Sequence, residues 1–258
     1  MVAGLRQPSQ GPPWSSPPLR FRLEKSKIHI WRADVRPSAP LLYRLKSTLC
    51  SDEVAAAQRF SFQKDQDRYI TTRGVLRMLL GLYLRIDPRN VRFGYGPRGK
   101  PLLEGPSQDK NICFNISHSG DLALFAFSRN REVGVDVERI RDDISDEEIS
   151  KRFFSAGERA RLRTTPTQLQ VQEFFRYWTC KEAYIKARGE GLHLPLNQFE
   201  VLIVPGDRLA KVRTEEESAA DSQWSAQTLA PGAGYAGAVV AQGRAWECVC
   251  WDWTEDSP

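Results

Sequence analysis

From residue 27 onward, apolar and polar positions follow two different rhythms. Lys27-Ile28-His29-Ile30-Trp31 alternates with period two, which predicts a half-buried strand. Ser51-Asp52-Glu53 then supplies helix-start residues ahead of an amphipathic stretch reaching about Phe60. Between Lys64 and Leu84 the residues Tyr69, Leu76, Leu79, Leu80 and Tyr83 keep helical spacing, which predicts a long helix. Val91-Arg92-Phe93 predicts a short strand, and 94–101 reads as a Gly/Pro loop. Strand signals return at Ile112 to Asn115, Leu122 to Ser128 and Val133 to Glu138. Helices are expected from about Asp146, from Ala156 to Arg163, and from Gln168 to Ala187. The last of these stops at Gly189, a residue suited to a left-handed C-cap. Strands are expected again at Phe199 to Val204, Gln223 to Leu229, Gly237 to Ala241 and Cys248 to Trp253. Strands and helices mix without strict βαβ alternation, so the expected fold class is α+β. Residues 1–24, rich in Pro, Ser, Gln and Gly, are expected to lack fixed structure.

The pattern also contains an internal echo. Arg68-Tyr69-Ile70-Thr71-Thr72-Arg73 in the first long helix resembles Arg176-Tyr177-Trp178-Thr179-Cys180-Lys181 in the last. Each follows an Arg-Phe pair, Arg59-Phe60 and Arg152-Phe153. Two related halves would place a site naturally between them.

Composition narrows the classes. With 258 residues, 41% of them hydrophobic, the chain can build one large core or two small ones. No apolar run approaches the roughly 20 residues of a membrane helix, and no apolar secretory stretch opens the sequence, so a cytoplasmic protein without membrane partners is expected. The five cysteines form no CxxC pair, which fits a reducing compartment. Three histidines and no Cys/His cluster argue against zinc. The net charge of +5 suits solubility, a polyanionic ligand or an acidic partner, and charge alone does not choose.

Candidate chemistry starts at Val133-Gly134-Val135-Asp136-Val137-Glu138. Alternation along a strand puts the valines on one face and Asp136 and Glu138 on the other. Two neighbouring carboxylates repel unless a cation lies between them, so the pair is either a solvated strand end or a cation site. In the last long helix Phe174, Trp178 and Ile185 form an inward stripe, while Glu182 and Lys186 share an adjacent face. Those two are a surface ion pair or, with Lys181, one carboxylate and two ammonium groups for a metal-phosphate unit. Three carboxylates from two elements suit Mg²⁺. Gly94 to Pro101 has the spacing GxxxxGK, but Pro101 stands where a nucleotide-binding loop needs Ser or Thr and a following helix. That excludes a Walker-type NTPase and leaves a phosphate-contacting loop or a plain basic turn. Asn115-Ile116-Ser117-His118-Ser119-Gly120 is dense in hydrogen-bonding groups. No GxSxG elbow accompanies it, so His118 reads as a phosphate ligand or a turn-stabilising residue rather than the base of a serine hydrolase.

Taken together, FNISHSGDLALFAF, EVGVDVE, RFFSAGERARL and FFRYWTCKEAYIKARGEGLHLPL, in that order after GPRGKP, resemble the 4′-phosphopantetheinyl transferase family of the surfactin-synthetase-activating type. The resemblance covers about residues 28–204. It implies a monomeric pseudo-dimer of two α+β halves, 25–130 and 131–258, with coenzyme A and Mg²⁺ (Mn²⁺ as an alternative) between them. Carried over by position, Asp136, Glu138 and Glu182 would ligate the metal and Lys186 would meet the pyrophosphate. Tyr95, Gly96, Pro97, Arg98, Gly99 and Lys100, with Asn115, Ile116, Ser117 and His118, would bind coenzyme A, Lys100, Ser117 and His118 at its adenosine 3′-phosphate end. Arg59 matches a further phosphate-binding cation. Some family members carry extra lysines before that position, where this chain has Val54-Ala55-Ala56-Ala57, so Arg73 or another cation is expected to substitute. The implied reaction transfers phosphopantetheine to a serine of an acidic acyl or peptidyl carrier protein, with Glu182 as the candidate base. A nucleic-acid-binding protein, the rival reading, would leave the three carboxylates unexplained. A nucleoside-triphosphate phosphotransferase would need motifs the chain lacks.

Overall fold

The computed structural model describes residues 11–96, 98–105, 111–141, 147–189, 194–203, 209–214 and 223–257. The α+β expectation holds. In chain order the elements are β1 (Trp14–Ser15), β2 (Lys27–Asp34), α1 (Ala39–Lys46), α2 (Ser51–Ala57), α3 (Gln63–Leu84), β3 (Phe93–Tyr95), β4 (Pro101–Leu103), β5 (Ile112–Ser119), β6 (Leu122–Arg129), β7 (Val133–Arg139), α4 (Glu147–Phe153), α5 (Ala156–Thr164), α6 (Thr167–Arg188), β8 (Phe199–Leu202), β9 (Ala210–Thr214), β10 (Trp224–Leu229), β11 (Tyr235–Gln242) and β12 (Glu247–Asp252). Among the described residues no helix is long and apolar enough to cross a membrane.

The described strands form two five-stranded sheets, ordered β1-β12-β2-β6-β5 and β7-β11-β10-β9-β8, and the small β3-β4 hairpin. One face of each sheet meets the other: Ile28, Ile30, Leu124 and Ala126 pack with Val133, Val135, Val137 and Val239. The outer face of the first sheet carries α1 and α3, whose Leu41, Leu45, Val75, Leu76 and Leu79 cover Trp31, Phe125 and Phe127. The outer face of the second carries α6, with Phe174, Tyr177, Tyr184 and Ile185 in its core.

At one edge the sheets meet through side chains. Three alternate residues of β5 accept from three alternate backbone N–H groups of β7: Val135 donates to Asn115 Oδ1 at 2.9 Å, Val137 to Ser117 Oγ at 3.4 Å and Arg139 to Ser119 Oγ at 3.0 Å. Each otherwise orphaned N–H would cost roughly 1–3 kcal/mol. This role also carries the strand past Asn115, where the apolar signal ends, to Ser119.

The echo between the long helices has a structural counterpart. Thr71 and Thr179 both donate to the carbonyl four residues back, at 2.7 and 2.9 Å. Arg73 pairs with Glu53, and Lys181 with Glu158. Glu53 and Glu158 also accept a backbone N–H at the start of α2 and α5, from Cys50 and Ser155. In that register Gly74 and Met78 stand opposite Glu182 and Lys186, so only the second half carries the polar pair.

The C-terminal strand β12 returns to the first sheet, where it runs parallel to β2. Two expectations need correction. The segment before residue 25 is ordered from Gly11: β1 pairs with β12, Trp14 Nε1 donates to Ala230 O at 2.7 Å, and the Arg32 guanidinium covers the Trp14 ring at 4.6 Å. Proline-rich composition hid the few aromatic anchors that order it; residues 1–10 lie outside the described residues. The 94–101 loop is the tip of the β3-β4 hairpin, closed by Gly96 N–H to Lys100 O at 2.9 Å and by Gly99 at φ +78°.

Candidate active site

The site forms where β7 passes under α6. Gly134 permits it: a Cβ there would strike the Ala183 carbonyl oxygen and the Ala187 amide of α6 and stand 3.0 Å from Ala187 Cα. With only hydrogen at that position, α6 lies flat on β7. The next two positions on the same strand face, Asp136 and Glu138, then turn toward the helix bearing Glu182 and Lys186.

Lys186 Nζ lies 2.6 Å from Asp136 Oδ1 and 2.8 Å from Ser117 Oγ, and the Ser117 hydroxyl donates to the same Asp136 oxygen at 2.9 Å. Ser117 comes from the first half and the other two from the second, so the seam itself is polar at this point. Asp136 is buried, and its other oxygen, Oδ2, is buried without a hydrogen-bond partner. Glu138 accepts from the Ser119 hydroxyl at 2.8 Å.

All three carboxyl groups are pushed above the ordinary carboxylate range. Burial is the leading cause for Asp136, opposed by Lys186 and Ser117. Burial also leads for Glu138, opposed by the Ser119 bond and reinforced by the Asp136 charge. For Glu182 burial comes first and the Asp136 charge second. Burial of carboxyl groups, with the Asp136 charge bearing on both Glu138 and Glu182, marks a place where positive charge is wanted. Among the described residues no three His, Cys, Asp or Glu side chains stand close enough to cage a metal as they lie; an ammonium sits on Asp136 instead. The donors nevertheless fit a hard divalent cation: they are carboxylate oxygens, and one of them is buried and orphaned.

Glu138 and Glu182 open onto a cavity of about 660 Å³ walled by Arg152, Phe153, Trp178 and Leu196. Phe153 meets Trp178 edge to face, with ring centroids 5.3 Å apart. Charge lies at one end of this slot and apolar surface along its wall. Sequence reasoning missed Ser119 and the slot. Ser119 continues the alternation of Asn115 and Ser117, and Arg152-Phe153 is the pair already noted in the echo.

The remaining candidates divide. Lys100 reaches the C-terminal end of α6, where Nζ donates to Ala187 O and pairs with Glu132, both at 3.0 Å. His118 is open to solvent on one side, yet the protein around it, with the Lys186 and Arg68 cations, holds its pKa below the ordinary value. Arg59 is exposed at the turn after α2. Tyr95 is 60% exposed and its hydroxyl accepts from Arg73 at 3.0 Å. Arg98 and Gly99 are exposed at the hairpin tip, Gly96 is half-buried there, and Pro97 lies outside the described residues. The buried Asn115 side chain accepts from Val135, and Ile116 packs against the first core, so both serve the fold here.

Two readings fail on burial. Lys181 is fully buried, bonded to Glu158 at 2.9 Å and to Phe199 O at 2.7 Å, and its ammonium lies 4.2 Å from the Phe199 ring centroid. One residue from Glu182 is about 100° around a helix, so it faces away from the site. Arg73 is no substitute phosphate ligand, because its guanidinium is buried against Glu53 and stacks on Phe93.

The sequence model of the 4′-phosphopantetheinyl transferase superfamily matches residues 132–240, and that of the 4′-phosphopantetheinyl transferase N-terminal region matches 33–130. The 4′-phosphopantetheinyl transferase HetI of Nostoc is 37% identical over 238 residues, covering 92% of this chain and 97% of that protein. The 4′-phosphopantetheinyl transferase Sfp of Bacillus subtilis is 31% identical and covers 61% of this chain and 68% of its own length. A solved ACPS–CoA complex from Chronobacterium ammoniagenes aligns with 21% identity and a TM-score of 0.35 over 44% of this chain and 98% of that one.

Proposed function

Since the chain belongs to the 4′-phosphopantetheinyl transferase superfamily, we propose that it transfers the 4′-phosphopantetheine of coenzyme A to a serine hydroxyl of an acyl or peptidyl carrier protein, releasing adenosine 3′,5′-bisphosphate. One observation carries this reading: Ser117 of the first half and Asp136 and Lys186 of the second converge within hydrogen-bonding distance, beside a slot that begins at Glu138 and Glu182. A serine oxygen, an anionic pyrophosphate and a partly apolar arm each find a complement there.

Asp136, Glu138 and Glu182 are the residues to hold Mg²⁺, or Mn²⁺ in its place, and a cation bound there would offset the pyrophosphate charge. Lys186 donates to the pyrophosphate oxygen on which negative charge grows as the phosphorus–oxygen bond to the nucleotide breaks. Glu182 accepts the proton of the attacking serine hydroxyl. A carboxylate is a weak base for a serine hydroxyl, and a cation held beside it would lower the effective pKa of that hydroxyl or of an intervening water. Lys100, Ser117 and His118 hold the adenosine 3′-phosphate end, with Arg59 as an outer cation. The segment from Glu138 to Phe154 receives the carrier, although 142–146 lie outside the described residues. An acidic carrier and a phosphate-rich cofactor both suit the net charge of +5. Both sides of the site come from one chain, so it acts as a monomer, in the cytoplasm.

The test is incubation of the protein with apo acyl carrier protein, coenzyme A and Mg²⁺. The carrier should gain the mass of one phosphopantetheine, and EDTA should prevent the gain. A folded enzyme that modifies neither acyl nor peptidyl carriers would refute the proposal.

A further inference from the structure

In the ligand-free chain the ammonium of Lys186 is already engaged. It sits on Asp136 Oδ1 at 2.6 Å and on Ser117 Oγ at 2.8 Å. Asp136 is fixed on a strand and 2% exposed, whereas the Lys186 side chain is 30% exposed at the end of a flexible four-carbon stem. The lysine is therefore the partner free to move. Its single charge faces all three carboxyl groups, Asp136, Glu138 and Glu182, and it leaves Asp136 Oδ2 without a partner. Lys100 is in a similar resting state on Glu132 and the Ala187 carbonyl, one residue further along α6.

We propose that Lys186 is an internal stand-in for the divalent cation: it neutralises Asp136 in the resting protein, competes with the metal for that carboxylate, and is released to the cofactor's pyrophosphate when the metal takes its place. This rests on the functional reading above and adds a competition which that reading does not require. Its consequence is coupled binding. Occupying Asp136 with metal frees the ammonium that phosphate needs, and engaging the ammonium with phosphate frees the carboxylate that the metal needs. By linkage each ligand tightens the other by the same factor. The resting pair also spares Asp136 from being a buried charge with no counter-ion.

The unusual consequence is that deleting a cation near this site should strengthen cation binding. Mn²⁺ is titrated calorimetrically into the full chain without coenzyme A, as wild type, Lys186→Met, Lys186→Arg and Lys64→Met. Lys186→Met should bind Mn²⁺ at least about tenfold more tightly than wild type, the factor expected when a charge-assisted hydrogen bond stops competing. Lys186→Arg should stay near wild type because it keeps the competitor. Lys64→Met, which removes an exposed lysine of α3, should also stay near wild type and so separates local competition from net charge. Coenzyme A should tighten Mn²⁺ binding by a larger factor in wild type than in Lys186→Met. Unchanged or weaker Mn²⁺ binding by folded Lys186→Met overturns the proposal. If that variant does not fold, the wild type answers instead: Mg²⁺ alone must shift the ¹⁵Nζ resonance of Lys186, and a resonance that stays in place overturns it. A wild type that neither binds Mn²⁺ nor modifies a carrier defeats the functional reading itself. A wild type that transfers normally, with no gain in Lys186→Met, defeats only the exchange.

Discussion

Gly134→Ala tests whether the approach of α6 to β7 builds the site. The added methyl would collide with backbone atoms of Ala183 and Ala187, and a helix backbone cannot rotate out of the way as a side chain can. To restore ordinary van der Waals separation, α6 must retreat by on the order of 1 Å. Overpacking of this kind costs roughly 1–3 kcal/mol. The same retreat stretches the 2.6 Å contact between Lys186 and Asp136 and moves Glu182 off the carboxylate face. A misplacement of about 1 Å costs about 100-fold in rate. Urea denaturation should therefore give a folded variant less stable by that margin, and carrier modification should fall by about two orders of magnitude in kcat/KM. A variant with wild-type stability and wild-type turnover would refute the argument that this glycine sets the site geometry.

Four further outcomes are expected. Glu182→Gln keeps the fold, shown by an unchanged circular dichroism spectrum, and abolishes transfer; near-normal turnover would remove Glu182 from the mechanism. Lys181→Met leaves Glu158 buried without its cation and should cost about 3–5 kcal/mol in urea denaturation, whereas a surface role would cost almost nothing. Burial lowers the His29 pKa from 6.5 to about 3, with a contribution from the Lys27 charge, so the unfolded chain takes up a proton that the folded one refuses. Its contribution to stability is complete above pH 6.5 and lost as pH falls toward 3. Between pH 7 and 5 this histidine alone should account for about 2 kcal/mol, and His29→Phe, compared by urea denaturation at the two pH values, should show a correspondingly smaller loss. The raised pKa values of Asp136, Glu138 and Glu182 carry the opposite sign, because the folded, ligand-free protein holds these protons more tightly than the unfolded one. Glu138→Gln should therefore lose less stability than wild type as pH rises through the carboxylate range, when melting temperatures are compared in EDTA.

Much of this protein is written in local pattern. The long helices, the Gly189 cap and most strands follow from spacing, because period and cap chemistry act over a few residues. Alternation in β7 separates Val133, Val135 and Val137 from Asp136 and Glu138, and the valines do enter the core between the sheets. Motif order is enough to suggest the family. Other features depend on which surfaces meet. Lys181 and Glu182 are neighbours in sequence, yet packing against Glu158 and Phe199 buries one while the other lines a cavity. Asn115, Ser117 and Ser119 look like a polar turn until the edge of β7 supplies the N–H groups they accept from. β12 joins the first sheet because β2 has a free edge there, a fact about partners distant in sequence. The engagement of Lys186 with Asp136 across 50 positions belongs to the same class. Local spacing is enough to say which residues carry charge on one face of a strand or helix, because that geometry repeats every few residues. Which charges are buried, and by what they are met, follows from packing alone, because burial and pairing are set by elements far apart in the chain.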